Sequence, residues 1–355
     1  MRGDGELKVE IDVADGLVRR VGLVHPGPED VGRRVVGALA EDAALWMASA
    51  SSADPVAHAV AARSAVENAL GVVVDRAEAR FREARVRAER VERHAYQLFL
   101  DWPGLIGHAP KSRALRRVRE AQRALLTDGR WKLDTPLFDW DEPTSVTALA
   151  RWAMEHDEAA AWLVRYLFEH ELASAGQSDV PLAPMLSASW FASRVKDRAF
   201  VRAPAIDGTP REVGPVASLV DHPLVGDVLR TNGAGLLARF SARLVALAED
   251  LRWLARAQRL RQVKPVKLPL RSGEGAAVVE TVRGPLAHVV EVTAGRVAAW
   301  TVVSPWQWNF HPRGALVGAL TGTPASGLQE RTRWLVAGLE PSVTCQVVVR
   351  GPSSA

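Results

Sequence analysis

The chain has 355 residues, 48% of them apolar and 24% charged, so a large buried core is available and an intrinsically disordered class is excluded. One cysteine excludes an intramolecular disulfide and any site needing several thiolates, zinc ribbons and cysteine-ligated iron-sulfur clusters included. Lys and Arg number 45 against 41 Asp and Glu, a net charge of only +4, so nucleic-acid binding is not expected.

No apolar run reaches the length of a membrane span, and MRGDGELKVE lacks the apolar stretch of a secretory signal. The expectation is a cytoplasmic protein without membrane insertion. From Leu7 to Val13 apolar and polar residues alternate, Asp15 and Gly16 mark a turn, and Leu17 to Val24 resumes the pattern, which predicts a β-hairpin over 1–25. HPGPED then predicts a helix opening near Pro28 or Glu29. DVGRRVVGALAEDAALWMAS, DPVAHAVAARSAVENAL and DRAEARFREARVRAERVERHAYQLFLDWP carry apolar positions at spacings of three and four, and further helices are predicted at 111–127, 144–173 and 223–260. In the last, Leu237, Phe240, Leu244, Leu247, Leu251 and Leu254 form one stripe. Seven arginines and four glutamates between Arg76 and Arg93 read as the solvated face of a long helix.

Near residue 265 the pattern changes. VKPVKLPL, AAVVETVRG, LAHVVEVTAG and RVAAWTVVSP are short β-rich runs, with Ala294 and Gly295 closing a hairpin, and a helix at 325–338 leads into LEPSVTCQVVV. With no internal repeat and no low-complexity linker, the reading is an α+β fold forming a single domain over 1–355: a hairpin at 1–25, a helical core at 29–260, and a β meander, helix and terminal cysteine segment at 265–355.

Few local motifs carry chemistry. GAGLLA at Gly233–Ala238 fits the loose dinucleotide pattern, but the DVLRTN before it lacks the required strand. His156 and His170 lie among glutamates without a Glu-x-x-His pair, which speaks against a carboxylate-bridged metal. Most of the twelve tryptophans, Trp152 and Trp162 included, are expected in the core.

A distributed constellation is more specific. ETVRGPLAHVVEVTAGRVAAWTVVSPWQWNFHPRGALVGALTG (280–322) aligns Arg283, Gly284, His288, Pro305, Trp308, Asn309, Phe310 and Pro312 with an E-A-P-R-G segment, a hairpin and a P-T-x-W-N-F-x-P-R block. LEPSVTCQVVV resembles D-P-C-x-x-C, and DPVAHAVAARSAVENALG (54–71) resembles the segment after an N-terminal C-x-x-C, with His58 on the motif histidine. These segments, in this order, resemble the large subunit of nickel-iron hydrogenases and the related accessory proteins of the HupK/HoxV type. RHAYQLFLDWP at 93–103 is similar to the accessory branch, whereas 105–265 contributes little.

In the enzymes of that family, four cysteines from two pairs hold nickel and iron. Here the first pair falls on Ser51 and Asp54, the second on Ser342 and Cys345. Oxygen ligands suit neither a low-spin iron nor a thiolate-bound nickel, so a hydrogen-activating centre is not expected and the protein is not expected to be an enzyme. The family's processing histidine is replaced by Val348 or Val349, so nickel-gated processing is not expected either. The resemblance implies a maturation scaffold or chaperone partnered by hydrogenase accessory proteins and the hydrogenase large subunit. It carries either no cofactor or, transiently, iron with cyanide and carbon monoxide, but no nickel. Cys345 would be the metal ligand, aided by Arg283, His58 and Ser342, and a thiolate beside the guanidinium would have a lowered pKa. The alternatives are a degenerate catalytic subunit with residual redox chemistry and a basic helical nucleic-acid-binding protein.

Overall fold

A computed structural model describes residues 6–25, 31–49, 53–133, 135–257, 260, 268–341 and 343–351. In chain order the elements are β1 (Leu7–Ala14), β2 (Leu17–Val24), α1 (Ala40–Ser49), α2 (Pro55–Ala69), α3 (Arg76–Tyr96), α4 (Ser112–Asp128), α5 (Val146–Glu155), α6 (Ala159–Glu169), α7 (Ala188–Ala192), α8 (Arg198–Arg202), α9 (Pro215–Ser218), α10 (Pro223–Asn232) and α11 (Leu236–Arg256). They are followed by β3 (Gly273–Thr281), β4 (Gly284–Thr293), β5 (Arg296–Val303), α12 (Trp306–Asn309), α13 (Ala315–Leu320), α14 (Leu328–Leu339) and β6 (Cys345–Arg350). The α+β class is as expected. The helical stretch foreseen over 29–260 divides between two compact units, one of 1–73, 178–218 and 266–355, the other of 74–177 and 219–265.

Several predicted helices are interrupted where the backbone requires it. The helix foreseen from Pro28 begins only at Ala40: Gly32–Val35 makes a single 3-10 turn and Gly37 sits at φ +84°, while 26–30 lie outside the described residues. The 144–173 segment breaks before Glu158, whose extended backbone starts α6, and the 223–260 segment breaks at Gly233. That glycine follows a helix rather than a strand, so GAGLLA is a helix junction and not a dinucleotide loop.

The first unit holds two three-stranded sheets. In one, β1 pairs antiparallel with β2 and parallel with β6, placing Cys345 opposite Leu7. The sequence is compatible with a terminal strand at Cys345 but does not predict its pairing with the hairpin. In the other, β3, β4 and β5 form a meander with β4 central from three of the four predicted runs; of VKPVKLPL, 268–270 carry no strand and 263–267 lie outside the described residues. That sheet is covered on both faces: Leu286, Val290 and Val292 face the alanines of α1 and α2, whereas Ala287 and Val303 pack against Phe191, Phe200 and Trp308.

Its close approach to α2 follows from composition. Ala61, Ala65 and Ala69 give the helix a low profile, and a Cβ on Gly275 would fall 2.2 Å from the Ala65 carbonyl oxygen. Only a glycine lets backbone meet backbone there.

The second unit packs α3 against α11. The stripe predicted on α11 is buried except for Leu251, which is half-buried. The α3 charges are only partly a solvated ladder: Glu78 and Glu83 pair one turn on with Arg82 and Arg87, but Arg87 and Arg90 also reach the fully buried Asp250, at 2.8 Å each.

Candidate functional site: a buried guanidinium clasp and a histidine pair

Three of the resembling segments converge in the first unit. Between β3 and β4 a two-residue turn holds Val282 and Arg283, closed by Thr281, whose hydroxyl accepts from the Arg283 N–H and donates to the Gly284 carbonyl. Gly284 lies at φ +124°, and a Cβ there would strike Val213 at 2.7 Å, which accounts for the Arg-Gly pair. The Trp-Asn-Phe block supports this turn from below. Trp308 fills the core, and the Asn309 side chain accepts from the Val213 N–H and donates to its carbonyl, fixing the backbone next to Gly214, whose Cβ position lies 3.1 Å from the Arg283 carbonyl.

The Arg283 side chain is 1% exposed. One terminal nitrogen donates to Asp54 Oδ2 at 2.6 Å and the other to Glu340 Oε1 at 2.9 Å. Asp54 stands at the N-cap of α2, ahead of Pro55. Glu340 closes α14 in a left-handed conformation at φ +53°, unusual for a glutamate and maintained here by the ion pair. One cation thus joins the start of α2, the β3–β4 turn and the segment leading to Cys345.

One turn beyond Asp54 on α2, His58 Nδ1 lies 3.1 Å from His288 Nε2 on β4. From β5, the Trp300 indole N–H donates to His288 Nδ1 at 3.1 Å, the two side chains being diagonal neighbours on one face of the sheet. His288 is fully buried, and burial together with the adjacent His58 holds its pKa well below the ordinary imidazole range, so it is neutral.

The expected lowering of the Cys345 pKa is not observed. Half-buried at the start of β6, the thiol is pushed up to about 11 by burial and by the Glu6 carboxylate. The guanidinium expected to acidify it is engaged with Asp54 and Glu340 instead. Cys345 is therefore a protonated thiol at neutral pH. Ser342 lies outside the described residues, as does Ser51. Among the described residues no three His, Cys, Asp or Glu side chains gather as a metal-holding group.

The structure therefore brings Arg283 and His58 into one assembly, Arg283 bonding to Asp54 one helical turn before His58. It adds residues that sequence reasoning did not assign to the site. Asp54 entered only as a missing cysteine, His288 only as a matching position, and Trp300 not at all. Glu340 had a visible signal, since it stands on the acidic residue of the D-P-C-x-x-C pattern.

Comparison with known proteins matches this architecture. The chain is 27% identical over 373 aligned positions to the hydrogenase expression/formation protein HupK of Rhizobium leguminosarum bv. viciae, covering 99% of each. Over nearly all of its length the chain is similar to hydrogenase expression/formation proteins. HoxV of Cupriavidus necator, also called a hydrogenase expression/formation protein, is 26% identical over 81% of this chain and 82% of its own length. Among solved structures, the reduced nickel-iron-selenium hydrogenase of D. vulgaris Hildenborough superimposes with a TM-score of 0.62 at 18% identity, covering 93% of this chain and 94% of that one, which establishes the large-subunit fold. No family model matches the chain. Among the described residues no helix is long and apolar enough to cross a membrane.

Proposed function

We propose that this protein is a non-catalytic scaffold or chaperone in nickel-iron hydrogenase maturation, working with hydrogenase accessory proteins and the hydrogenase large subunit. The observation that carries this reading is the fate of the motif positions. The large-subunit fold is kept, yet Asp54, on a cysteine position of the enzymes, is committed to Arg283, and Cys345 is a lone protonated thiol. Such a donor set does not fit a finished nickel-iron centre, which needs several thiolates. No metal-dependent step is therefore assigned to it. Deleting the gene in its host is expected to abolish or sharply reduce hydrogenase activity, with restoration by the wild-type gene. Undiminished activity in the deletion strain would overturn the proposal.

A second reading makes the protein a transient carrier of iron bearing cyanide and carbon monoxide, here a cargo rather than a resident cofactor. Its support is the half-exposure of Cys345 at a strand end, within reach of solvent, unlike the sealed core around Arg283. Infrared spectra of protein purified without oxygen from cells making the accessory machinery, with iron and nickel assayed, separate the two. Carbonyl and cyanide bands with iron and no nickel would identify a carrier; absent bands and absent metal would leave a docking chaperone. Cys345→Ser is expected to impair maturation only in the carrier case.

A further inference from the structure

The small net charge of the chain conceals a separation within the second unit. Residues 105–135 carry eight Lys or Arg against three Asp or Glu, whereas residues 136–158 carry one Arg against six Asp or Glu. Helix α4 turns the first group outward. Leu115, Val118, Ala121 and Leu125 form its buried stripe, and the helical period leaves Arg113, Arg116, Arg119 and Arg123 exposed on the opposite face. Among the described residues Arg113 and Arg116 meet no carboxylate, Arg123 reaches only a backbone carbonyl of its own helix, and Arg119 pairs with Glu92. A single carboxylate, Glu120, lies in the row. The acidic group is exposed around the junction of α5 and α6, where Asp139, Asp141, Glu155 and Asp157 reach solvent. The two surfaces abut at Trp162 on α6. Lys111, just ahead of α4, lies 3.9 Å from the centre of the Trp162 ring, and the Trp162 indole N–H donates to Asp157 Oδ1 at 2.6 Å.

Surfaces of opposite sign lying side by side are self-complementary about a two-fold axis that runs between them, because each basic face then meets the acidic face of the other copy. We infer that the second unit carries a self-association surface on which two copies of the chain pair about an axis close to Trp162, the α4 arginines of one against Asp139, Asp141 and Glu155 of the other. Trp162, half-buried at the boundary, supplies the aromatic centre, and guanidinium–carboxylate contacts surround it. A nucleic acid fits the pair of surfaces less well, since a polyanion seated on the arginines would be repelled by the carboxylates beside them. The inference uses no feature of the site around Arg283 and stands apart from the maturation role.

Sedimentation velocity of the full chain tests it. At about 50 mM salt a dimer of twice the 38.5 kDa chain mass is expected, dissociating at about 0.5 M, where screening confines charge interactions to a few ångströms. Arg113→Glu, Arg116→Glu and Arg123→Glu together are expected to give a monomer at low salt, as are Asp139→Lys, Asp141→Lys and Glu155→Lys together. An equimolar mixture of the two triple variants is expected to recover the dimer, because every contact is then complementary again. A monomeric wild type at low salt, a dimer indifferent to salt or to either triple substitution, or a mixture that stays monomeric would overturn the inference. A monomeric wild type that binds a DNA duplex or poly-L-glutamate through the same arginines would assign the face to another acidic partner and overturn it equally. Should a triple variant fail to fold, Arg116→Glu and Glu155→Lys replace it, each expected to lower the dimer fraction at a fixed concentration, and an unchanged fraction in both would refute the pairing.

Discussion

Two buried ion clusters in this molecule are built with opposite stoichiometry. In the second unit one carboxylate, Asp250, is gripped by two arginines on α3; in the first, one guanidinium, Arg283, is gripped by two carboxylates from distant parts of the chain. The arginines around Asp250 reach water, Arg87 and Arg90 being 26% and 19% exposed, and Arg87 is shared with Glu83. Around Arg283 the carboxylates are sealed, only 8% and 7% exposed. The Asp250 cluster has an outlet to solvent that the clasp lacks, so the members of the clasp depend on one another more strictly.

Removing the central group of each cluster tests that contrast. Arg283→Met removes the cation between two buried carboxylates and is expected to cost about 3–5 kcal/mol, read as a lowered denaturation midpoint in urea. Asp250→Asn leaves arginines that can turn outward, with an expected cost of about 2 kcal/mol. Equal losses would remove the distinction between sealed and vented charge.

A smaller effect belongs to Glu158 in the second unit, whose carboxyl titrates near neutral pH. Partial burial raises its carboxyl from 4.5 to about 7, opposed by the Asp139 N–H that it accepts at 3.1 Å. The folded state therefore binds this proton more tightly than the unfolded state does. Its contribution is complete below pH 4.5 and is lost as pH rises to about 7. After allowance for solvent screening the loss amounts to about 1 kcal/mol, and Glu158→Gln should flatten the slope of stability against pH over that interval. The smallest change is expected for Cys345→Ser, below about 1 kcal/mol at a half-exposed position, checked in the same denaturation series.

How much of this was legible beforehand follows from the range of each interaction. The hairpin, the meander and the α11 stripe rest on local alternation and periodicity, and all are present. Helix ends at Gly37, Glu158 and Gly233 were missed because propensity averaged over a long window hides a single residue that stops the backbone hydrogen-bond ladder. At the site, Arg283 and His58 could be named because they lie in recognisable segments. Glu340 could have been added from its place on the motif's acidic position, whereas Trp300 is brought in by a cross-strand neighbourhood that no spacing encodes. The expected acidic thiol failed for a related reason: proximity in the motif suggested that Arg283 would act on Cys345, and the fold gave the guanidinium to carboxylates instead.

The parallel pairing of β1 with β6 bears on how the molecule comes into being. Glu10 on β1 and Arg350 on β6 form an ion pair across 340 positions, and Asp54 waits for Arg283 across 229. Contacts of such separation carry a large loop-closure cost and form late. The first strand emerges from the ribosome long before its last neighbour exists, with one edge unpaired. Completion of this sheet therefore waits for β6 to be made: a nascent chain cannot present Cys345 in its folded setting before translation has passed Arg350.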